Sequence, residues 1–248
     1  MNFLRIFRRG AAPIATGTAA TIASVALTHV GHVRAVNEDR VLDLPEARLW
    51  AVADGMGGHQ SGDVAAQIAI DALSDLASRL PQPCSADIVT ALQSANMMIH
   101  DRYSDADRRS GTTILAALRT NDQIEIFWAG DSRAYRLRSG KWQLLTRDHS
   151  VVQQMVDAGA LPPSAAANHP KSNVITRALG VHREVVIDQL ATTFAAGDII
   201  MLCSDGVSRS LREGVNDAPS LSLLAQSILD QALTRDGSDN ASLVLIQG

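Results

Sequence analysis

Cysteine is scarce in this 248-residue chain. Cys84 lies in a Pro-flanked stretch and Cys203 inside an apolar run, and two residues so placed supply neither a disulfide framework nor metal-ligand spacing. Reduced thiols in a cytoplasmic protein are the expectation. Positive charge is not in excess either: 22 Lys and Arg stand against 26 Asp and Glu, for a formal net charge of −4. The basic residues are scattered rather than gathered in a stripe, which argues against nucleic acid as a partner. No apolar run is long enough to span a bilayer, and there is no internal repeat. The seven histidines form no HxxxH or HxH pair, the spacing a zinc site wants.

What is present is an apolar fraction of 46%, enough for a sizeable core in one domain. The first residues, MNFLRIFRRG, are basic, and an Ala/Thr-rich stretch follows. They predict a flexible tail over 1–20, with a weaker membrane-surface alternative for Phe3, Leu4, Ile6 and Phe7. Residues 21–248 then form a single domain. A strand is expected over TIASVALTHVGHVR, with short strands near 40–44 and 48–53 and a Gly-rich loop over 55–62. Apolar residues from Val64 to Leu80 recur at three- and four-residue spacing, one helix face. Ser85 is placed to cap a second helix carrying Ile88, Leu92, Ala95 and Ile99. Period-two strands parted by short turns follow (TTILAALRT, DQIEIFWAG, SRAYRLRS, KWQLLT), so neighbours are antiparallel. A looser Pro/Ser/Ala/Asn-rich segment over 149–173 predicts a surface flap, with His149 anchoring its start. Helices followed by a meander predict a layered α+β fold rather than alternating βαβ units.

Four aspartates stand at ends of apolar runs: Asp54 closes LWAVAD, Asp131 follows IEIFWAG, Asp205 follows DIIMLCS and Asp239 precedes NASLVLI. Carboxylates at strand ends lie on a sheet rim and can converge; clustered like charges call for cations. An oxygen-only donor set suits Mg²⁺ or Mn²⁺, and Gly55 lets the backbone bend so that its carbonyl also faces an ion. Two such ions activate water for in-line attack on phosphorus. Arg34, on the first strand and four residues before the Glu38–Asp39 pair, has the planar fork to hold phosphoryl oxygens. His59, in DGMGGH, is the histidine nearest the metal loop and the candidate proton donor to a leaving alkoxide. Cys203, in an apolar strand with no His or Lys beside it, is expected to be an inert thiol.

The motifs GHVRAVNEDR, VADGMGGHQSG, SGTT, AGDSRAY, TRDHS, ITRALG, LCSDGV and SDNAS run in order from Gly31 to Ser242. In them the chain resembles the PP2C, or PPM, family of metal-dependent protein serine/threonine phosphatases in its bacterial form. The resemblance implies a four-layer α/β/β/α sandwich, two central antiparallel sheets flanked by helix pairs, with a binuclear centre at one end. It implies Asp54 as the acid bridging two Mn²⁺ or Mg²⁺ ions, with Asp205 and Asp239 completing the first. Glu38 and the Gly55 carbonyl serve the second, Asp39 holds water, and Asp131 with Asp205 binds a third, looser ion. Arg34 falls on the phosphate-binding arginine. Two departures stand out: Met56 occupies the position where animal relatives carry the general-acid histidine, and Pro162, Pro163, Ser164 and Ala165 replace acidic helix-starting residues in the flap.

The implied activity is hydrolysis of phosphoserine and phosphothreonine in a phosphorylated protein substrate, opposing a bacterial eukaryotic-like Ser/Thr kinase, by a monomer. The alternatives are an inactive phosphoprotein-binding relative, against which the complete acid set speaks, and a phosphatase of a small anti-anti-sigma-type regulator, which usually carries a sensory domain. A metal-dependent nuclease would want a basic groove.

Overall fold

The computed structural model describes residues 22–57, 61–80, 82–103, 110–211 and 218–248. The expected tail over 1–20 therefore lies outside the described residues. In chain order the strands are β1 (Ser24–His29), β2 (Asp39–Leu44), β3 (Leu49–Gly57), β4 (Ser110–Thr112), β5 (Ile114–Thr120), β6 (Gln123–Ala129), β7 (Arg133–Arg138), β8 (Lys141–Leu144), β9 (Asp188–Thr193), β10 (Ile199–Cys203) and β11 (Ala241–Gln247). The helices are α1 (Gly62–Arg79), α2 (Ser85–Arg102), α3 (Val151–Asp157), α4 (Pro163–Ala166), α5 (Asp205–Ser208) and α6 (Leu221–Arg235). Among these residues no helix is long and apolar enough to cross a membrane.

Two antiparallel sheets result, one ordered β1-β11-β10-β7-β8 and the other β2-β3-β5-β6-β9, with β4 added to β3. The period of two along each strand sorts side chains into layers. On β3, Leu49, Ala51 and Ala53 face outward to meet Ala65, Ala69 and Leu73 of α1 and Ile88, Leu92 and Ile99 of α2. Trp50 and Val52 face inward, packing with Leu115 and Ile126 of their own sheet and with Ile200, Leu202, Val244 and Ile246 of the other. On the far side, Met201, Cys203, Leu243 and Leu245 receive Val207 of α5 and Leu224, Ile228 and Leu229 of α6. Each fully buried large aliphatic side chain contributes ~1.5–3 kcal/mol. The expected α/β/β/α order is thus the observed one.

Three local differences bear on the site. The first strand stops at His29, because Gly31 turns the chain at φ +82 and the His32 N–H is taken by the Gly237 carbonyl at 2.6 Å. Arg34 is accordingly a loop residue, not a strand residue. The first part of the Gly-rich loop is strand: Gly55, Met56 and Gly57 pair with Thr112, Gly111 and Ser110 of β4. The cap of α2 is Cys84 rather than Ser85; Asp87 accepts from the Cys84 N–H at 2.8 Å, while the Ser85 hydroxyl donates to Glu125.

The flap carries α3 and α4, and its root is tied at His149. The His149 N–H donates to the Gly130 carbonyl at 2.9 Å and its carbonyl accepts from the Thr176 N–H at 2.7 Å. Its ring stacks on Trp128 at 6.2 Å between centroids and accepts at Nδ1 from the Gly130 N–H.

Candidate metal centre

Asp54 continues the inward parity of Trp50 and Val52 and so reaches the rim of the layer between the sheets. Asp39, its register partner on β2, stands beside it. Asp205 follows the last buried residues of β10 and opens α5; Asp239 immediately precedes the Asn240–Ala241 entry to β11; Asp131 sits in the β6–β7 turn. Five chain segments therefore meet at one place. Arg34, Glu38, Asp54, Gly55, Asp131, Asp205 and Asp239 line a single cleft of about 240 Å³, and Asn173 and Ile175 from the end of the flap close one side of it. Asp39 lies behind, only 2% exposed. A roomier cleft of about 400 Å³ shares Met56 and Gly57 and is lined by His100, Tyr103 and His182, but by no carboxylate. His59 falls outside the described residues.

Several tethers hold the acids in place. The Asp54 N–H donates to Thr113 Oγ1 at 3.1 Å, and the Asp54 carbonyl accepts from the Thr113 N–H at 2.9 Å and from Thr112 Oγ1 at 3.0 Å. Thr113 Oγ1 is itself within 2.9 Å of Ser132 Oγ. The Glu38 N–H donates to Asn240 Oδ1 at 2.8 Å, and Asn240 Nδ2 donates to the carbonyls of Val30 and Val36, so one amide sets the loop from β1 to β2 against β11. Ser204 Oγ donates to Asp39 Oδ2 at 2.9 Å. Gly55 is needed for closeness: a Cβ there would stand 2.2 Å from the Gly62 carbonyl oxygen and 2.7 Å from that of Glu38. None of these polar partners except Gly55 was singled out from sequence.

The electrostatics are those of crowded acids. Burial, then the neighbouring Asp39, Asp205, Asp131 and Asp239, push the Asp54 carboxyl well above the ordinary range. Burial raises Asp39 to about 7 against the neighbouring Ser242 and Ser204 hydroxyls, and burial with Asp205 and Asp148 raises Asp131 to about 7. Burial also raises Glu38 and Asp205, the latter opposed by Arg209. Arg34 donates from Nη2 to Asp239 Oδ2 at 2.9 Å, with half its side chain still exposed.

As placed, no three His, Cys, Asp or Glu side chains among the described residues stand together as a finished ion cage. The acids share the wall of a cleft. Their chemistry nevertheless fits a hard divalent ion: every donor is oxygen, the charges are alike and shielded, and the buried Asp39 Oδ1 has no hydrogen-bond partner.

A family model described as protein phosphatase 2C matches residues 31–240. The chain is 33% identical over 235 residues to the serine/threonine phosphatase stp of Listeria monocytogenes, a match covering 89% of this chain and 93% of that protein. Its fold superposes on the Mycobacterium tuberculosis serine/threonine phosphatase PstP/Ppp with a TM-score of 0.84 at 36% identity, over 91% of this chain and 98% of the other. The catalytic domain of PstP, solved in complex with two manganese ions, matches with a TM-score of 0.81 at 34% identity, over 91% and 97% of the two chains.

Proposed function

The chain belongs to the protein phosphatase 2C family, and we propose that it removes phosphate from phosphoserine and phosphothreonine in proteins, using two Mn²⁺ or Mg²⁺ ions held at the acidic cleft. The observation that carries this reading is the gathering of a phosphate-seeking arginine, Arg34, with Glu38, Asp54, Asp131, Asp205 and Asp239 in one cleft large enough for a phosphorylated side chain. When bound, the ions supply an acidified water and positive charge against the phosphoryl oxygens.

The residues divide the remaining work. Asp54 is proposed as the shared ligand, Asp205 and Asp239 as ligands of one ion, and Glu38 with the Gly55 carbonyl as ligands of the other. Asp39, held through Oδ2 by Ser204 and with Oδ1 free, orients water from behind them. Arg34 spends one Nη on Asp239; its other N–H groups are available to a phosphoryl group, a charge-assisted bond that also offsets the acids. His59 is proposed from its place in sequence as the proton donor to the departing alkoxide. Asn173 and Ile175 bring the flap within reach of the substrate chain.

A phosphorylated protein as substrate implies a Ser/Thr kinase that makes it, and we assign this chain to the opposing half of such a cycle. Phosphate release from a phosphothreonine peptide, dependent on Mn²⁺ and stopped by chelator, tests the activity. Peptide binding without release would favour a non-catalytic phosphoprotein binder instead.

A further inference from the structure

A second arginine stands at the cleft. Arg209 lies four residues beyond Asp205, at the end of α5; its N–H donates to the Asp205 carbonyl at 3.0 Å, so the helical turn fixes the spacing. Its guanidinium pairs with the Asp205 carboxylate, and both side chains are largely shielded, at 33% and 16% exposure. Arg209 lines the same cleft as Asp131, and its charge reaches that residue too, opposing the upward push of burial and of Asp205. Arg34 holds the equivalent place on the other side, paired with Asp239.

We infer that Arg209 is the resident cation of the Asp131–Asp205 edge, where it does the work of a further metal ion and limits the centre to two divalent ions. This rests on the metal-centre reading above. Charge balance supports it: six carboxylates (Glu38, Asp39, Asp54, Asp131, Asp205 and Asp239), two arginines and two divalent ions carry no net charge. A third ion on that edge would leave the cleft doubly positive and would have to displace a shielded guanidinium from Asp205, where like charges repel at close range. A guanidinium is a permanent cation, so this edge keeps one positive charge whatever the metal concentration.

The test is the number of Mn²⁺ ions bound per full-length chain at saturation, by equilibrium dialysis with metal analysis, for the wild type, Arg209→Ala and Arg209→Lys. Two, three and two are expected. Asp131→Asn in the Arg209→Ala background should return the count to two, and Arg209→Gln serves in place of Arg209→Ala if the latter does not fold. A wild type that binds three ions, or an Arg209→Ala protein that stops at two, overturns the inference while leaving the phosphatase reading intact. A wild type that binds fewer than two overturns both.

Discussion

Asp39 and Asp54 are register partners on adjoining antiparallel strands, two carboxylates on the inward face with no basic side chain between them in the pairing. Opposed like charges destabilise a sheet, and after burial Asp39 is the largest cause of the raised Asp54 pKa. The fold therefore holds its acids in a state that only protons or cations make comfortable.

In metal-free protein this has a definite sign. Asp39 and Asp131 are raised from 3.8 to about 7 in the folded state, so their stabilising share is complete below pH 3.8 and is lost as pH rises through about 7. For one such group the step from pH 5.5 to 8 removes about 2 kcal/mol, a fall in Tm of ~5 °C. Mn²⁺ should raise Tm more at pH 8 than at pH 5.5. Burial lowers the His149 pKa below 6.5, so its share is lost in the opposite direction, as pH falls below that value. Thermal unfolding at both pH values, with Mn²⁺ and with chelator, separates the two, because His149 does not line the metal acids' cleft.

Arg34→Ala should raise KM for a phosphopeptide by on the order of 10-fold or more, the scale of a lost charge-assisted hydrogen bond, with a smaller change in kcat. Steady-state kinetics at saturating Mn²⁺ checks this. An unchanged KM removes the arginine from phosphate binding.

Gly55→Ala should cost more than ~2 kcal/mol and weaken Mn²⁺ binding, since the added methyl meets backbone oxygens of Gly62 and Glu38 that cannot swing aside. Denaturant unfolding and a metal titration read the two effects. A stable, metal-binding variant would mean that the Glu38, Gly55 and Gly62 backbones are not closely packed in solution.

The acids were legible in the sequence because a strand's period of two leaves an unmistakable pattern in LWAVAD and ASLVLI, and a carboxylate ending such a run must lie at a rim. The layers were legible for the same reason. The tethers were not: Thr113, Ser204 and Asn240 act on residues 59, 165 and 202 positions away, and ordinary polar residues leave no mark of such partners in local pattern. Apolar residues running on past His29 predict a strand through Arg34; the positive φ at Gly31 and its closeness to the Asp239 backbone break that run. Arg209 leaves no signal of its own, because an i, i+4 Asp–Arg pair normally marks a solvated helix face.

Thiol chemistry separates the two cysteines. Cys84 is exposed and Cys203 buried, with burial pushing the Cys203 thiol up to about 12. A thiol-reactive disulfide reagent should titrate one group in the native protein near neutral pH and the second only in denaturant. Rapid reaction of both would contradict the packing of β10 against α6.

The central claim, hydrolysis at the acidic cleft, is tested most directly by phosphate release from a phosphothreonine peptide with excess Mn²⁺, comparing the wild type with Asp54→Asn and Asp205→Asn. The account predicts release by the wild type, none after chelation, and a loss of at least ~100-fold in either variant, in line with removal of a group on which the transition-state charge depends. Release that persists undiminished in Asp54→Asn, or a folded, Mn²⁺-loaded wild type that releases no phosphate from a panel of phosphopeptides, would contradict it.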